Sequence, residues 1–188
     1  MNWPNLVTLG RIILVPVFAL AYLLPSGGAY LWASVLFAAA AFTDWLDGYL
    51  ARKLGQTTRF GAFLDPVADK LIVVTALTVL IGEHGNLWMT FAGIVIISRE
   101  VFISALREWM AEMNRRGLVA VVMVGKVKTV LQMAAIALLL ANPPELDRPW
   151  VIAGYVLLYA ATFMTLWSMT VYLLAAWPTL QLGMKRNR

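Results

Sequence analysis

The stretch Thr43-Asp44-Trp45-Leu46-Asp47-Gly48-Tyr49-Leu50-Ala51-Arg52, followed by Gly61-Ala62-Phe63-Leu64-Asp65-Pro66-Val67-Ala68-Asp69-Lys70, sets four carboxylates within twenty-six residues of a very apolar chain. On a helix, Asp44, Asp47, Gly48, Ala51 and Arg52 share one face through the i, i+3, i+4, i+7, i+8 progression. Gly61, Asp65 and Asp69 recur every fourth residue and line a second helix in the same way. A hairpin across the polar link from Lys53 to Phe60 brings the two acidic faces together. Carboxylates crowded in a low-dielectric setting repel one another and take up protons unless cations neutralise them. Divalent metal is the simplest such cation. A competing reading of the same residues starts the second helix at Pro66, with Asp65 as its N-cap.

Around this stretch the chain has 188 residues, 61% hydrophobic and 13% charged, with a mean hydropathy of +0.76. These values lie outside the usual range of a soluble domain and define an integral membrane protein. At about 20 residues per span plus short links, the length predicts an all-α, polytopic bundle of six transmembrane helices forming one domain over residues 1–188. The absence of cysteine excludes disulfides, thiol catalysis and thiolate metal sites. A net charge of +5 raises nucleic acid as a partner. The basic residues cluster at the ends of apolar runs, however, and that pattern indicates topology and anionic-lipid contact instead.

The runs are Leu6 to Leu24, which carries Arg11 and Pro16 and is expected to kink; Ala29 to about Leu54; about Phe60 to Gly82; Asn86 to Asn114; about Val119 to Ala141; and about Trp150 to Trp177. The first is a span rather than a cleaved leader, because its cation sits eleven residues in and further spans follow. Arg11, the link with Arg52, Lys53 and Arg59, the turn with Arg115 and Arg116, and the tail with Lys185, Arg186 and Arg188 all fall on one side. The opposite links hold only Arg148, so both termini are expected in the cytosol. Asp44 precedes Arg52 by eight residues, roughly 12 Å of helix, which sets the acidic site just inside the cytosolic boundary. The eight tryptophans are expected to form interfacial belts, and His84 to be a simple loop residue.

Asp44-x2-Asp47-Gly48-x2-Ala51-Arg52-x8-Gly61-x3-Asp65-x3-Asp69 resembles, with no departure, the signature of the CDP-alcohol phosphotransferase family. Asn5 to Arg11, Phe60 to Lys70, Ser98 to Trp109 and Gly125 to Thr129 extend the resemblance to bacterial members that use CDP-diacylglycerol and sn-glycerol 3-phosphate. The resemblance implies transfer of a phosphatidyl group with release of CMP, at the cytosolic face of the bacterial cytoplasmic (inner) membrane. It implies two Mg2+ or Mn2+ ions held by Asp44, Asp47, Asp65 and Asp69. Asp44 and Asp65 bridge both ions, and Asp69 doubles as the catalytic base. Hard oxygen ligands suit Mg2+, and an ion pair about 3.5–4 Å apart can stabilise both attacking and leaving oxygens. By the same resemblance, Asn5, Thr8, Gly48, Ala51, Arg52 and Thr58 contact CDP-diacylglycerol, and a homodimer surrounded by membrane lipids is implied.

An anionic acceptor needs cations beside the metal site, and Arg59, Arg99, Arg107, Lys126 and Lys128 supply them. Some of these have other uses. Arg99 and Glu100 can form a neutralising structural pair, and Lys126 and Lys128 can snorkel to the interface. The two lysines point about 200° apart on a regular helix. An ion transporter also places aspartates inside a bundle, but it has no need of the Gly-x2-Ala-Arg spacing and releases no CMP. A nearer alternative is a family member with a different acceptor: serine, inositol phosphate or phosphatidylglycerol.

Overall fold

The computed structural model describes the backbone of residues 3–24, 28–54, 59–112 and 123–184, and their side chains apart from 3–6, 44–54, 59, 60, 62, 112, 123–126, 178, 179 and 182–184. The described residues form six helices and no strand: α1 Trp3–Leu23, α2 Ala29–Leu54, α3 Arg59–His84, α4 Leu87–Glu112, α5 Met123–Leu140 and α6 Pro149–Met184. The all-α expectation holds, with each apolar run giving one helix.

The ends differ from the hydropathy boundaries where local chemistry, not polarity, stops a helix. α3 begins at Arg59 and runs through Pro66, so Pro66 does not start it and Asp65 is not its N-cap. The Asp65 Oδ1 instead accepts a hydrogen bond from Thr8 of α1. At its other end α3 continues to His84 and closes on Gly85, whose φ of 56° is the left-handed conformation of a helix C-cap. The Gly85 amide donates to the Ile81 carbonyl at 3.1 Å. Asn86 then caps α4 by accepting from the Met89 amide at 2.9 Å. α6 opens with Pro149, suited to a first helical position, and extends past Trp177 to Met184, with Leu180 packed against the apolar cluster that joins it to α4. The turn with Arg115 and Arg116 lies outside the described residues.

Among the described residues, α1 packs more extensively against α2 and against α3 than these two pack against each other. The expected α2–α3 hairpin is therefore backed by α1, which lies alongside both. α5 packs along α6, and α4 bridges α3 and α6. The main apolar cluster gathers Phe18, Phe37, Leu77, Leu80, Ile96, Leu139 and Leu158. These come from the second halves of α1, α3 and α5 and the first halves of α2, α4 and α6, so the core fills the end of the bundle away from the aspartates. At the other end a smaller cluster of Ile103, Leu106, Met110, Tyr172 and Ala176 joins α4 to α6, and between the two lies a cavity.

The surface inverts the usual soluble pattern. Ile13, Leu20, Trp32, Phe91, Val130, Phe163 and Leu174 are exposed, while Arg11, Arg99, Lys128, Gln132 and Thr165 are buried. Two stretches, Leu87–Ala111 and Pro149–Trp177, are long and apolar enough to cross a membrane; Val7–Leu23, Ala29–Thr43 and Val127–Leu140 are shorter apolar helices.

α5 and α6 approach closely at Gly154, where an added Cβ would meet Leu139 Cγ at 2.7 Å and Cδ2 at 2.8 Å. Leu139 is itself fully buried and has no space to yield. Overpacking of this kind costs about 1–3 kcal/mol. Gly154→Ala should therefore lower the thermal midpoint of the detergent-solubilised protein by several degrees, while an unchanged midpoint would show that the two helices separate freely there.

Candidate functional site

Asp65 and Asp69 stand one turn apart on α3, and Thr8 and Arg11 stand one turn apart on α1 facing them. Thr8 Oγ1 donates to Asp65 Oδ1 at 2.9 Å. Arg11 Nη1 donates to Asp69 Oδ1 at 2.7 Å. The Arg11 side chain is 1% exposed and that of Asp69 is 47% exposed, so the arginine is locked behind a carboxylate that remains open to the cavity. Arg11, read from the sequence as a topology signal and as the end of the family-like stretch Asn5 to Arg11, is thus a structural partner of the site.

The opposite wall comes from α4, α5 and α6. Glu100 Oε1 receives Arg99 Nη1 at 2.6 Å and Lys128 Nζ at 2.9 Å, linking α4 to α5. The Arg99–Glu100 pair weighed from the sequence is present, with a second cation added to it. Two turns along α4, Arg107 Nη2 donates to the Tyr172 hydroxyl at 3.2 Å, and its guanidinium carbon lies 5.5 Å from the centre of that ring. Lys70 Nζ donates to Ser104 Oγ, tying α3 to α4.

These groups surround a cavity of about 570 Å³. Among its described lining residues are five cations, Arg11, Lys70, Arg99, Arg107 and Lys128, against three carboxylates, Asp65, Asp69 and Glu100. Among these described side chains cations outnumber carboxylates, a balance that favours an anionic ligand, and arginine's fork matches phosphate oxygens two at a time.

Of the expected site residues, the structure brings Asp65, Asp69, Arg99, Arg107 and Lys128 to this one cavity and sets Thr8 behind Asp65. Asp44, Asp47, Gly48, Ala51 and Arg52 occupy the last part of α2, beginning one turn after the cavity-lining Ala40 and Ala41. Their side chains lie outside the described residues, as do those of Asn5, Arg59 and Lys126, and Thr58 lies outside entirely. Among the described residues no cluster of three or more acidic, histidine or cysteine side chains forms a metal centre. Asp65 and Asp69 nonetheless present hard oxygen donors to the cavity, the donor chemistry that Mg2+ and Mn2+ take, so this half of the expected ligand set fits such an ion.

Lys70, Ser104, Gln132 and Tyr172 line the cavity without having been singled out from the sequence. Lys70 directly follows Asp69, and a glutamine or lysine inside an apolar run is itself a functional signal. Tyr172 carries none, because its role comes from α4–α6 packing. His84, expected in a loop, instead closes α3, with Nδ1 3.0 Å from the Tyr155 hydroxyl, which also accepts from Asn86 Nδ2 at 2.8 Å. That cluster knits the α3–α4 turn to α6 at the end remote from the cavity.

Residues 1–174 match the family described as CDP-alcohol phosphatidyltransferase. A Pseudomonas fluorescens protein named CDP-diacylglycerol–glycerol-3-phosphate 3-phosphatidyltransferase is 56% identical over 183 residues, covering 96% of this chain and 93% of that one. Proteins of the same name from Yersinia pestis (strain Pestoides F) and Salmonella paratyphi A are each 49% identical, covering 96% and 93% of this chain and 97% and 94% of theirs.

Breaking a buried ion pair by removing one partner costs about 3–5 kcal/mol. Glu100→Leu strands two buried cations and should lower the thermal midpoint strongly. Adding Lys128→Met to Glu100→Leu should recover part of the loss, because one stranded charge is gone. Additive losses in the two variants and their combination would show that the two side chains do not act as a pair.

Proposed function

The chain belongs to the CDP-alcohol phosphatidyltransferase family, and from that membership and the chemistry of the cavity we propose that it transfers the phosphatidyl group of CDP-diacylglycerol to sn-glycerol 3-phosphate. The products are phosphatidylglycerophosphate and CMP. The observation that supports this reading is that, among the described residues, Arg99, Arg107 and Lys128 outnumber Glu100 on the cavity wall facing Asp65 and Asp69. A phosphorylated acceptor needs that surplus, and a zwitterionic serine does not. The names of relatives at 49–56% identity agree with it.

In this account Asp44, Asp47, Asp65 and Asp69 hold two Mg2+ or Mn2+ ions. When bound, they neutralise diphosphate charge and stabilise the oxygens gained and lost at phosphorus. Arg11 pins one oxygen of Asp69 and so orients the carboxylate. Asp69 accepts the proton of the acceptor's primary hydroxyl as that oxygen bonds to the lipid-side phosphorus and the P–O bond to CMP breaks. Arg59, Arg99, Arg107, Lys126 and Lys128 hold the acceptor phosphate, and Tyr172 fixes the direction of Arg107. Asn5, Thr8, Gly48, Ala51, Arg52 and Thr58 serve the nucleotide.

The same proposal includes a single domain of six membrane spans, both termini and the cavity mouth on the cytosolic side of a bacterial inner membrane, and a homodimer. Exposed apolar side chains around the whole bundle support the lipid environment. Cross-linking in native bilayers that captured only monomers would remove the dimer.

Purified protein given CDP-diacylglycerol and a panel of acceptors should release CMP with sn-glycerol 3-phosphate far faster than with serine or inositol phosphate; preference for either of those would replace this reading. Chelation with EDTA should abolish the reaction and added Mg2+ or Mn2+ restore it. Asp69→Asn should still bind CDP-diacylglycerol while turnover falls by about 100-fold or more, as for loss of a general base. Arg107→Lys loses one charge-assisted contact, worth about 1.5–3 kcal/mol. The Michaelis constant for glycerol 3-phosphate should rise roughly ten- to a hundred-fold, with that for CDP-diacylglycerol nearly unchanged. Equal weakening of both would assign Arg107 a structural role.

A further inference from the structure

Gln132 lies one turn after Lys128 on α5, lines the cavity and is only 3% exposed. Its side-chain Oε1 is buried with no hydrogen-bond partner. A carboxamide oxygen is a hydrogen-bond acceptor, and leaving it buried and unpaired is unfavourable. The next residues inward on α5 are apolar, and a leucine or methionine at this position would pack among Met133 and Ile136 without that penalty. The charged groups nearby have protein partners: Arg99 and Lys128 share Glu100, Arg107 meets Tyr172, and Lys70 meets Ser104. Gln132 is a neutral residue of the cavity wall whose carboxamide oxygen, an acceptor, is left without a protein donor.

A neutral amide adds little to the capture of a phosphate, since it brings no charge, but it can read a hydroxyl as donor or acceptor. Residues four apart on a helix have Cβ atoms about 5–6 Å apart. A phosphoryl group held at Lys128 and the hydroxyl on the neighbouring carbon of a glycerol skeleton span such a spacing.

We propose that Gln132 is a specificity-determining residue whose amide hydrogen-bonds the secondary hydroxyl of the glycerol phosphate acceptor. The inference rests on the acceptor reading above and goes further by naming the feature that separates this acceptor from other phosphorylated alcohols.

The test compares sn-glycerol 3-phosphate with 3-hydroxypropyl phosphate, which keeps the primary hydroxyl and the phosphate and lacks only the secondary hydroxyl. Values of kcat/KM are measured at saturating CDP-diacylglycerol for the wild type and for Gln132→Met. The wild type should prefer glycerol 3-phosphate by roughly tenfold, in keeping with one buried hydrogen bond. Gln132→Met should bring the preference close to unity, mainly by loss on glycerol 3-phosphate, with the Michaelis constant for CDP-diacylglycerol unchanged as the sign of an intact fold. Gln132→Asn, which holds the amide one carbon short, should also reduce the preference and is read alone if the methionine variant does not fold. A preference that survives these substitutions, or that the wild type lacks, overturns the role of Gln132 and leaves the acceptor assignment standing. A wild type that turns over neither phosphate yet uses serine overturns both.

Discussion

Glu100 is a single carboxylate that two buried cations share. Arg99 beside it on α4 and Lys128 on α5 both donate to its Oε1, and in an apolar bundle each of these charges carries a desolvation cost of several kcal/mol unless it is paired. Their pairing joins α4 to α5 at the level where the apolar core stops. Arg11 and Asp69 do the same for α1 and α3. Charge and hydrogen bonds thus hold the open half of the bundle together with the small apolar cluster between α4 and α6, and a cavity can exist there without collapsing the helices around it.

The two ends of the molecule divide the work. Tight apolar packing around Phe18, Phe37, Leu80 and Leu139 fixes the helix directions at one end. At the other, residues of all six helices line one cavity, to which α1, α3, α4 and α5 bring charged side chains. A packed base with charged groups held on helices rather than loops suits the proposed reaction, because it fixes the positions of the reacting groups.

Much of this architecture was legible in the sequence because helices leave a periodic trace. The six apolar runs became six helices, and the four-residue spacing of Asp65 and Asp69 set them on one wall. Partnerships between helices leave no such trace. Nothing in the spacing told Thr8 and Arg11 to meet Asp65 and Asp69, or Lys128 to join Glu100, and Tyr172 looked like any other aromatic in a long apolar helix. Pro66 left two readings open, and the one that ran the helix through it from about Phe60 holds: α3 starts at Arg59 and tolerates the proline within it. His84 likewise read as a loop residue because the hydrophobic run stopped before it, although the hydrogen bond to Tyr155 keeps it in the last turn.

The central claim is that the cations facing the aspartates are there to hold a phosphorylated acceptor. It is tested most directly by comparing sn-glycerol 3-phosphate with glycerol as acceptors for purified protein and CDP-diacylglycerol, following CMP. Two or more charge-assisted contacts, at about 1.5–3 kcal/mol each, predict a kcat/KM at least roughly a hundred-fold higher for the phosphorylated acceptor, and a smaller ratio when Arg107 is changed to Gln. Equal use of glycerol and glycerol 3-phosphate would contradict the account.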